Sequence, residues 1–277
     1  MRYSHSMKVP PVVLSIAGFD PSSGAGVTAD LKTASANGCY AVTCVTALTV
    51  QSSQGVFGVQ PVEPQLVSRT LRALADDLEI AAVRIGMLGS GTVAAAVANF
   101  LEANQLPNVV LDTVLRSSSG VELLDQAGVD VLRRRLLPLA DVITPNVEEA
   151  AVFAGTQPPA SGASWDEILP QIRATAGKLH TLGARGVVIT GGHLAWANDY
   201  LSYSMDGALQ EEVFLGHRIG SGSTHGTGCA FATALACELA HEKRLPEAVR
   251  AAKDYVRKAI AAAYPLGKGT GPLNHEV

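Results

Sequence analysis

"VVLSIAGFDPSSGAGVTADLKTASANGCYAVTCVTAL" (Val12–Leu48) holds the unit from which the fold is read. An apolar run, "VVLSIA" (12–17), meets a glycine-rich loop. A helix-length segment, Gly24–Asn37, follows, and then a second β-rich run, "YAVTCVTAL" (40–48). Neither run alternates cleanly between apolar and polar residues, which suits strands buried on both faces. Strand, helix and strand in that order predict parallel strands joined by a crossover helix.

The pattern continues outward. Further β-rich runs are "AAVRIGM" (81–87), "NVVLDTV" (108–114), "ADVITPN" (140–146) and "GVVITGG" (186–192). Helix-length segments lie among them at Pro64–Asp77, Ser90–Asn104, Val129–Leu137, Asn146–Ala154, Ser164–Leu182, Gly226–His241 and Leu245–Ala263. Pro64 suits a helix start, and Pro138 is expected to stop the Val129–Leu137 helix. The segment 200–219 reads instead as a hairpin turning at "MDG". "TQPPASGAS" (156–164) is expected to be a surface loop. The alternation predicts an α/β fold, a mostly parallel central sheet with helices on both faces. Residues 1–8 read as a ragged leader and residues 9–277 as a single domain.

Composition narrows the function. The 277 residues are 47% hydrophobic with a net charge of −4, a folded chain with a large core. Arg133, Arg134 and Arg135 are the densest basic cluster and sit in an amphipathic stretch, so they read as a solvated helix face and not a nucleic-acid site. Charges or prolines interrupt each apolar run before the roughly 20 residues of a membrane span. Cys39, Cys44, Cys229 and Cys237 form no CxxC pair, which suits a reducing cytosol.

Three motifs carry candidate chemistry. In the first loop, Gly24 to Ala29 formally match the dinucleotide fingerprint. A loop separates them from the strand, however, and the next strand ends in Gln51 where an acidic ribose partner should stand. A glycine loop admitting a small ligand, with Asp30 to bind it, reads better. Asp112 closes one core strand, and Asn146 and Glu149 follow another, where ligands of open α/β sheets collect. They suit a hydrated Mg²⁺ bridging phosphates; helix capping by Asn146 and Glu149 explains the latter two equally well. In "STHGTGCAFATALACELA" (223–240), Gly226, Thr227, Gly228 and Cys229 open a helix whose free N–H groups make an anion site. The same field lowers a thiol's pKa, so Cys229 is a candidate base. The competing reading is a buried structural cysteine, as expected for Cys237. His225 is expected to shape the loop.

These residues resemble a known family. G-T-G-x at a helix start near the end of a single α/β domain looks like the ribokinase superfamily. Cysteine in the fourth place, within "THGTGC", is similar to the hydroxymethylpyrimidine and phosphomethylpyrimidine kinases of thiamine synthesis. "SIAGFDPSSGAGVTADLKT", "VTALTVQSSQGV", "IGMLGS", "VVLDTV", "ITPNVEEA" and "GGH" agree in order and spacing, covering nearly the whole chain. The resemblance implies a ribokinase-like three-layer sandwich and ATP-dependent phosphorylation of a hydroxymethyl pyrimidine, then of its monophosphate. It implies that Gly18, Asp30, Gln51, Met87 and Val114 line the pyrimidine pocket and that Asp112, Asn146 and Glu149 organise Mg-ATP, with Asp112 and Glu149 toward the metal. Thr190 and Gly192 would lie beside the nucleotide. Gly226, Thr227 and Gly228 would form the anion hole and Cys229 would be the base. A cytoplasmic homodimer is implied, to which the 200–219 hairpin could contribute.

Two positions depart from the family pattern. Its "AKSG" reads here as a run with Ser118 in the lysine's place and Arg116 two residues earlier, and its "KGGH" begins with Thr190. Arg116 is the candidate substitute; without one, the second phosphorylation is the step most exposed. A pyridoxal-type kinase on the same scaffold and a pyrimidine-binding protein with impaired turnover are the alternatives.

Overall fold

The computed structural model describes residues 9–117, 119–160, 162–192, 194 and 196–277. The leader assigned to 1–8 and the departure at Ser118 lie outside them. The strands are β1 (Val12–Phe19), β2 (Tyr40–Ser52), β3 (Gly55–Pro61), β4 (Ile80–Ile85), β5 (Val109–Leu111), β6 (Val142–Ile143), β7 (Gly186–Ile189), β8 (Asp199–Met205) and β9 (Ala208–Phe214). They form one sheet in the order β3-β2-β1-β4-β5-β6-β7-β8-β9. The six strands from β2 to β7 in that order are parallel; β3, β8 and β9 run antiparallel at the two edges.

The helices are α1 (Gly26–Ala36), α2 (Pro64–Asp77), α3 (Gly91–Ala103), α4 (Gln126–Val131), α5 (Leu137–Leu139), α6 (Val147–Ala154), α7 (Trp165–Thr181), α8 (Thr227–Ala240) and α9 (Leu245–Ala261). Strand parity divides the core into two layers. Leu14, Ile16, Val83, Ile85, Val109 and Leu111 face the larger cluster, which α2 to α7 cover. Val13, Ala82, Val110 and Val188 face the other, covered by α1, α8 and α9. The second layer is built largely from alanines, including Ala230, Ala232, Ala234 and Ala236 of α8. Small side chains let α8 lie close over the middle of the sheet, against β1, β4 and β5.

Two elements differ from the sequence reading. β3 escapes it because "GVFGVQP" is short and carries two glycines, which weaken a strand signal. Pro138 does not end its helix. A π-helical turn, Leu132–Leu136, joins α4 to α5, and Pro138 enters at the start of α5. A widened turn breaks the regular i→i−4 ladder, so the missing proline N–H costs little there. The hairpin turns at Asp206 and Gly207, both with positive φ (52° and 78°). Of the basic cluster, Arg135 pairs with Glu102 at 2.7 Å on the surface.

Leu111 is wholly buried in the central strand β5. Leu111→Ala is expected to destabilise the fold by about 2–5 kcal/mol, measured by equilibrium denaturant unfolding.

Candidate active site

A cleft of about 1160 Å³ runs along the carboxyl ends of the parallel strands. That exceeds what a small heterocycle alone needs. Gln51 on β2, Gly18 on β1, Met87 after β4 and Val114 after β5 line it, as do Asp112, Asn146, Glu149, Thr190 and Gly192 after β5, β6 and β7. Sheet order therefore spreads the first group toward the β2 side and the second toward the β7 side. Gly226, Thr227, Gly228 and Cys229 line the same cleft from the start of α8.

Two glycine loops meet at close range. Gly226 has φ of 84°, and a Cβ there would lie 1.9 Å from the carbonyl oxygen of Gly24. Gly26 has φ of 59°, and its Cβ would lie 2.1 Å from the oxygen of Gly18. No side chain fits at either place, so the N-termini of α1 and α8 can approach. Asp20 ties the loops together. Its Oδ1 accepts from the Ser22 N–H at 2.8 Å, and its Oδ2 accepts from the Ala25 N–H at 2.9 Å. The same Oδ2 lies 2.9 Å from Nε2 of His225. That ring nitrogen also sits 3.1 Å from the Gln51 amide. His225, donating from this nitrogen to Asp20, thus shapes the loop, as expected, while Gln51 Oε1 accepts from Thr49 Oγ1 at 3.1 Å. Burial pushes the Asp20 carboxyl up, but the bonds from His225 and Ser22 outweigh it and hold it below the usual range. Asp20 was missed as a site residue; its signal was "DPSS", an Asx-type turn opening.

Asp30 is not placed as expected. It is wholly buried and does not line the cleft. Its Oδ2 accepts from Ser15 Oγ at 2.6 Å and from Arg84 at 3.1 Å, and its Oδ1 accepts from Thr233 Oγ1 at 2.7 Å. The expectation that Asp30 lines the pocket is corrected accordingly, because both of its oxygens are taken by donors of the protein. Arg84 was also missed. Inside an apolar strand its charge gives no local hint of partners that come from α1 and the end of β5. Arg84 bonds Asp112 Oδ2 at 2.6 Å as well as Asp30.

At the middle of the cleft, Asn146 and Glu149 form the capping box of α6. The Asn146 side chain accepts from the Glu149 N–H at 2.9 Å, and the Glu149 carboxylate accepts from the Asn146 N–H at 3.0 Å. Both also line the cleft, so capping and ligand contact coexist. Burial first, and then the charge of Asp112, push the Glu149 carboxyl up to about 8. Burial raises Asp112 too, against the pull of Arg84. Two carboxyls both raised by burial, with the charge of Asp112 also raising Glu149, fit a divalent cation. Among the described residues no group of three or more His, Cys, Asp or Glu could hold a metal. The pair therefore fits an ion such as Mg²⁺ that takes its other ligands from phosphates and water.

Cys229 is partly exposed to the cleft. Burial first pushes its thiol up to about 11. Arg84 and the Gly26 N–H pull it down, while Asp112 and Asp30 raise it further. Against the expectation of a partly ionised thiol, burial and the two carboxylates outweigh the dipole and push this thiol up, which favours its neutral form at rest. Cys237 is wholly buried, as expected. Beyond Thr190 and Gly192, the cleft is lined by Gly216 to Ile219 and by Lys253, Val256 and Ile260 of α9. Lys253 bonds Asp199 at 2.6 Å. These were not legible, because α9 reads as an ordinary amphipathic helix. Arg116 stands at the rim with its side chain 68% exposed, 3.4 Å from Glu122.

The phosphomethylpyrimidine kinase family profile matches residues 20–274. The hydroxymethylpyrimidine/phosphomethylpyrimidine kinase of Streptomyces coelicolor is 41% identical over 266 residues, covering 96% of this chain and 94% of that protein. The thiamine biosynthesis bifunctional protein ThiED of Geobacter sulfurreducens is 42% identical over 263 residues; the match takes in 95% of this chain and 52% of that protein, so the chain spans about half of its length. Among solved structures, the ADP complex of Bacillus subtilis pyridoxal kinase has a TM-score of 0.83 at 34% identity, covering 96% of this chain and 97% of that one.

The Cys229 thiol can be titrated directly, since its three fellow cysteines are buried. The rate of Cys229 alkylation by iodoacetamide, followed by peptide mass spectrometry, is expected to rise about tenfold per pH unit from about pH 7 to 10. A plateau reached by about pH 8 would contradict the neutral resting thiol.

Proposed function

The chain belongs to the phosphomethylpyrimidine kinase family, and from that footing we propose how its residues divide the work of an ATP-dependent pyrimidine kinase. It is a phosphotransferase of thiamine biosynthesis, phosphorylating 4-amino-5-hydroxymethyl-2-methylpyrimidine and then its monophosphate. The observation that carries the assignment of roles is a single cleft. Gly18, Gln51, Met87 and Val114 lie toward one side of it, Thr190 and Gly192 toward the other, and the start of α8 opens into it.

In this reading Gln51, held by Thr49, bonds the polar edge of the ring while Met87 packs on its face. The N–H groups of Gly226, Thr227 and Gly228 hold the transferring phosphoryl oxygens with the help of the helix dipole. Asp112 and Glu149 would hold Mg²⁺, which when bound neutralises phosphate charge; Asn146 keeps Glu149 in place. Cys229 takes the hydroxymethyl proton. Phosphoryl transfer through a loose transition state rests mainly on positioning and charge stabilisation, so a mostly protonated thiol suffices. Arg116 at the rim is the side chain available to the phosphate of the monophosphate in the second step.

Residues 9–277 are read as one kinase domain, because one sheet spans β3 to β9. Among the described residues no helix is long and apolar enough to cross a membrane. Four free cysteines suit a cytoplasmic location. A homodimer is supported by the exposed Leu48, Val50 and Phe57 at the β2–β3 edge. Sedimentation is expected to give twice the mass of one chain, and Phe57→Glu is expected to shift it toward the monomer.

The likeness to a Bacillus subtilis pyridoxal kinase favours a second reading, phosphorylation of pyridoxal, which the same assay compares. With Mg-ATP and the hydroxymethyl pyrimidine, ion-exchange separation is expected to yield monophosphate and then diphosphate. Cys229→Ala is expected to lower turnover about 10²-fold and to abolish the rise of turnover with pH, since a base must lose its proton first. Pyridoxal phosphate as the main product would favour the second reading, and near-normal turnover of Cys229→Ala would remove Cys229 from the role of base.

A further inference from the structure

Arg84 is the largest wholly buried side chain in the protein's core. It lies on β4 in register with Ser15 of β1. By strand parity it shares the sheet face of Val13, Ala82 and Val110, the face covered by α1 and α8. Its guanidinium occupies the space beside Gly86, where a Cβ would lie 1.9 Å from a terminal nitrogen. One terminal nitrogen bonds Asp30 of α1 at 3.1 Å and the other bonds Asp112 at 2.6 Å. Its Nε is buried without a hydrogen-bond partner among the described residues. Thr233 of α8 adjoins the network: its hydroxyl lies 2.7 Å from Asp30 Oδ1 and 2.8 Å from the Cys229 carbonyl oxygen, and its one proton is shared between these two acceptors.

A buried cation placed only for stability is a poor bargain, since apolar packing of similar volume does as well or better. This one is joined on one side to a carboxylate in the cleft wall and on the other, through Asp30 and Thr233, to the turn of α8 that carries Cys229. We propose that Arg84 is a positioning residue for phosphoryl transfer: it aims the Asp112 carboxylate and supplies the fixed positive charge in the cleft wall that it shares with Cys229. The proposal rests on the kinase reading above and assigns Asp30 a role through Arg84 in place of direct ring contact. The groups whose charge or dipole acts on Cys229 are Arg84 from β4 and the N–H of Gly26, which favour the thiolate, and Asp112 from the end of β5 and Asp30 from α1, which oppose it. Of these, Arg84 is the only cation, so removing its charge leaves two carboxylates opposing any negative charge on the sulfur.

Two variants test this. Arg84→Lys keeps the charge but cannot fork between two carboxylates. The pair Arg84→Met with Asp30→Asn removes a charge of each sign together and leaves no new uncompensated charge at Asp30. Circular dichroism and thermal melting establish that each is folded. Arg84→Lys is expected to lower kcat about tenfold or more while changing the KM for the pyrimidine less than about threefold. The double variant is expected to lower kcat about 10²-fold or more and to move the pH dependence of Cys229 alkylation upward, because Asp112 remains without its cation and the lost pull of Arg84 exceeds the lost push of Asp30. Folded variants with wild-type kcat and an unchanged alkylation profile would overturn the proposal. Loss of the fold in both variants would make Arg84 a structural ion and overturn it too. Should the wild-type protein phosphorylate no pyrimidine, the kinase reading fails on its own, and alkylation of Cys229 still reports whether Arg84 acts on the thiol.

Discussion

A single positive charge is buried where the cleft meets the sheet. Arg84 lies between Asp30 and Asp112, at 3.1 and 2.6 Å. The desolvation of an isolated charge costs far more than a domain's net stability, so this guanidinium is tolerable only with both carboxylates in place. The arrangement dictates much around it. Position 86 has no room for a side chain. Ser15 and Thr233 are polar at places where their neighbours on the same layer are Val13, Ala232 and Ala234, because the oxygens of Asp30 need donors. α1 and α8 are held to β1, β4 and the end of β5 through these few bonds.

The second constraint is backbone contact. Gly226 against the oxygen of Gly24, and Gly26 against the oxygen of Gly18, bring two helix N-termini to one point. Their dipoles and free N–H groups make that point attractive to anions. Cys229 opens partly to the cleft, yet its burial and two nearby carboxylates raise its thiol against the dipoles. Helix N-termini favour thiolates only when solvent and neighbouring charge do not oppose them. A phosphate clamp and an acidic thiol are therefore separable properties, although one helix start suggests both.

Most of the cleft was legible. Asp112, Asn146, Glu149, Thr190 and Gly192 follow strands, and residues at strand ends of a parallel sheet converge whatever their separation along the chain. Gly226 to Cys229 were legible because glycines beside an alanine-rich run mark a loop entering a buried helix. Arg84 was not. Within "AAVRIGM" it looks like an interruption of a strand, and nothing local names its partners. Asp30 was misplaced for the same reason, because a helical aspartate beside a glycine loop reads as facing the ligand, whereas its helix turns it inward to a charge from another strand. Lys253 and its neighbours on α9 belong to an amphipathic pattern shared by many surface helices.

The sequence by itself determined the α/β alternation, the parallel core, the hairpin at Asp206–Gly207 and the family. The first three rest on local chemistry, namely apolar runs of strand length, helix caps and glycines where φ is positive, and the family rests on the resemblance of its motifs in order and spacing. Tertiary structure alone decided which buried charges meet, that β3 completes the sheet edge, that the helix runs through Pro138, and that burial and two carboxylates push the Cys229 thiol up. Those outcomes depend on desolvation and on pairings between residues far apart in the chain, such as Asp30 with Arg84, and a linear pattern encodes neither.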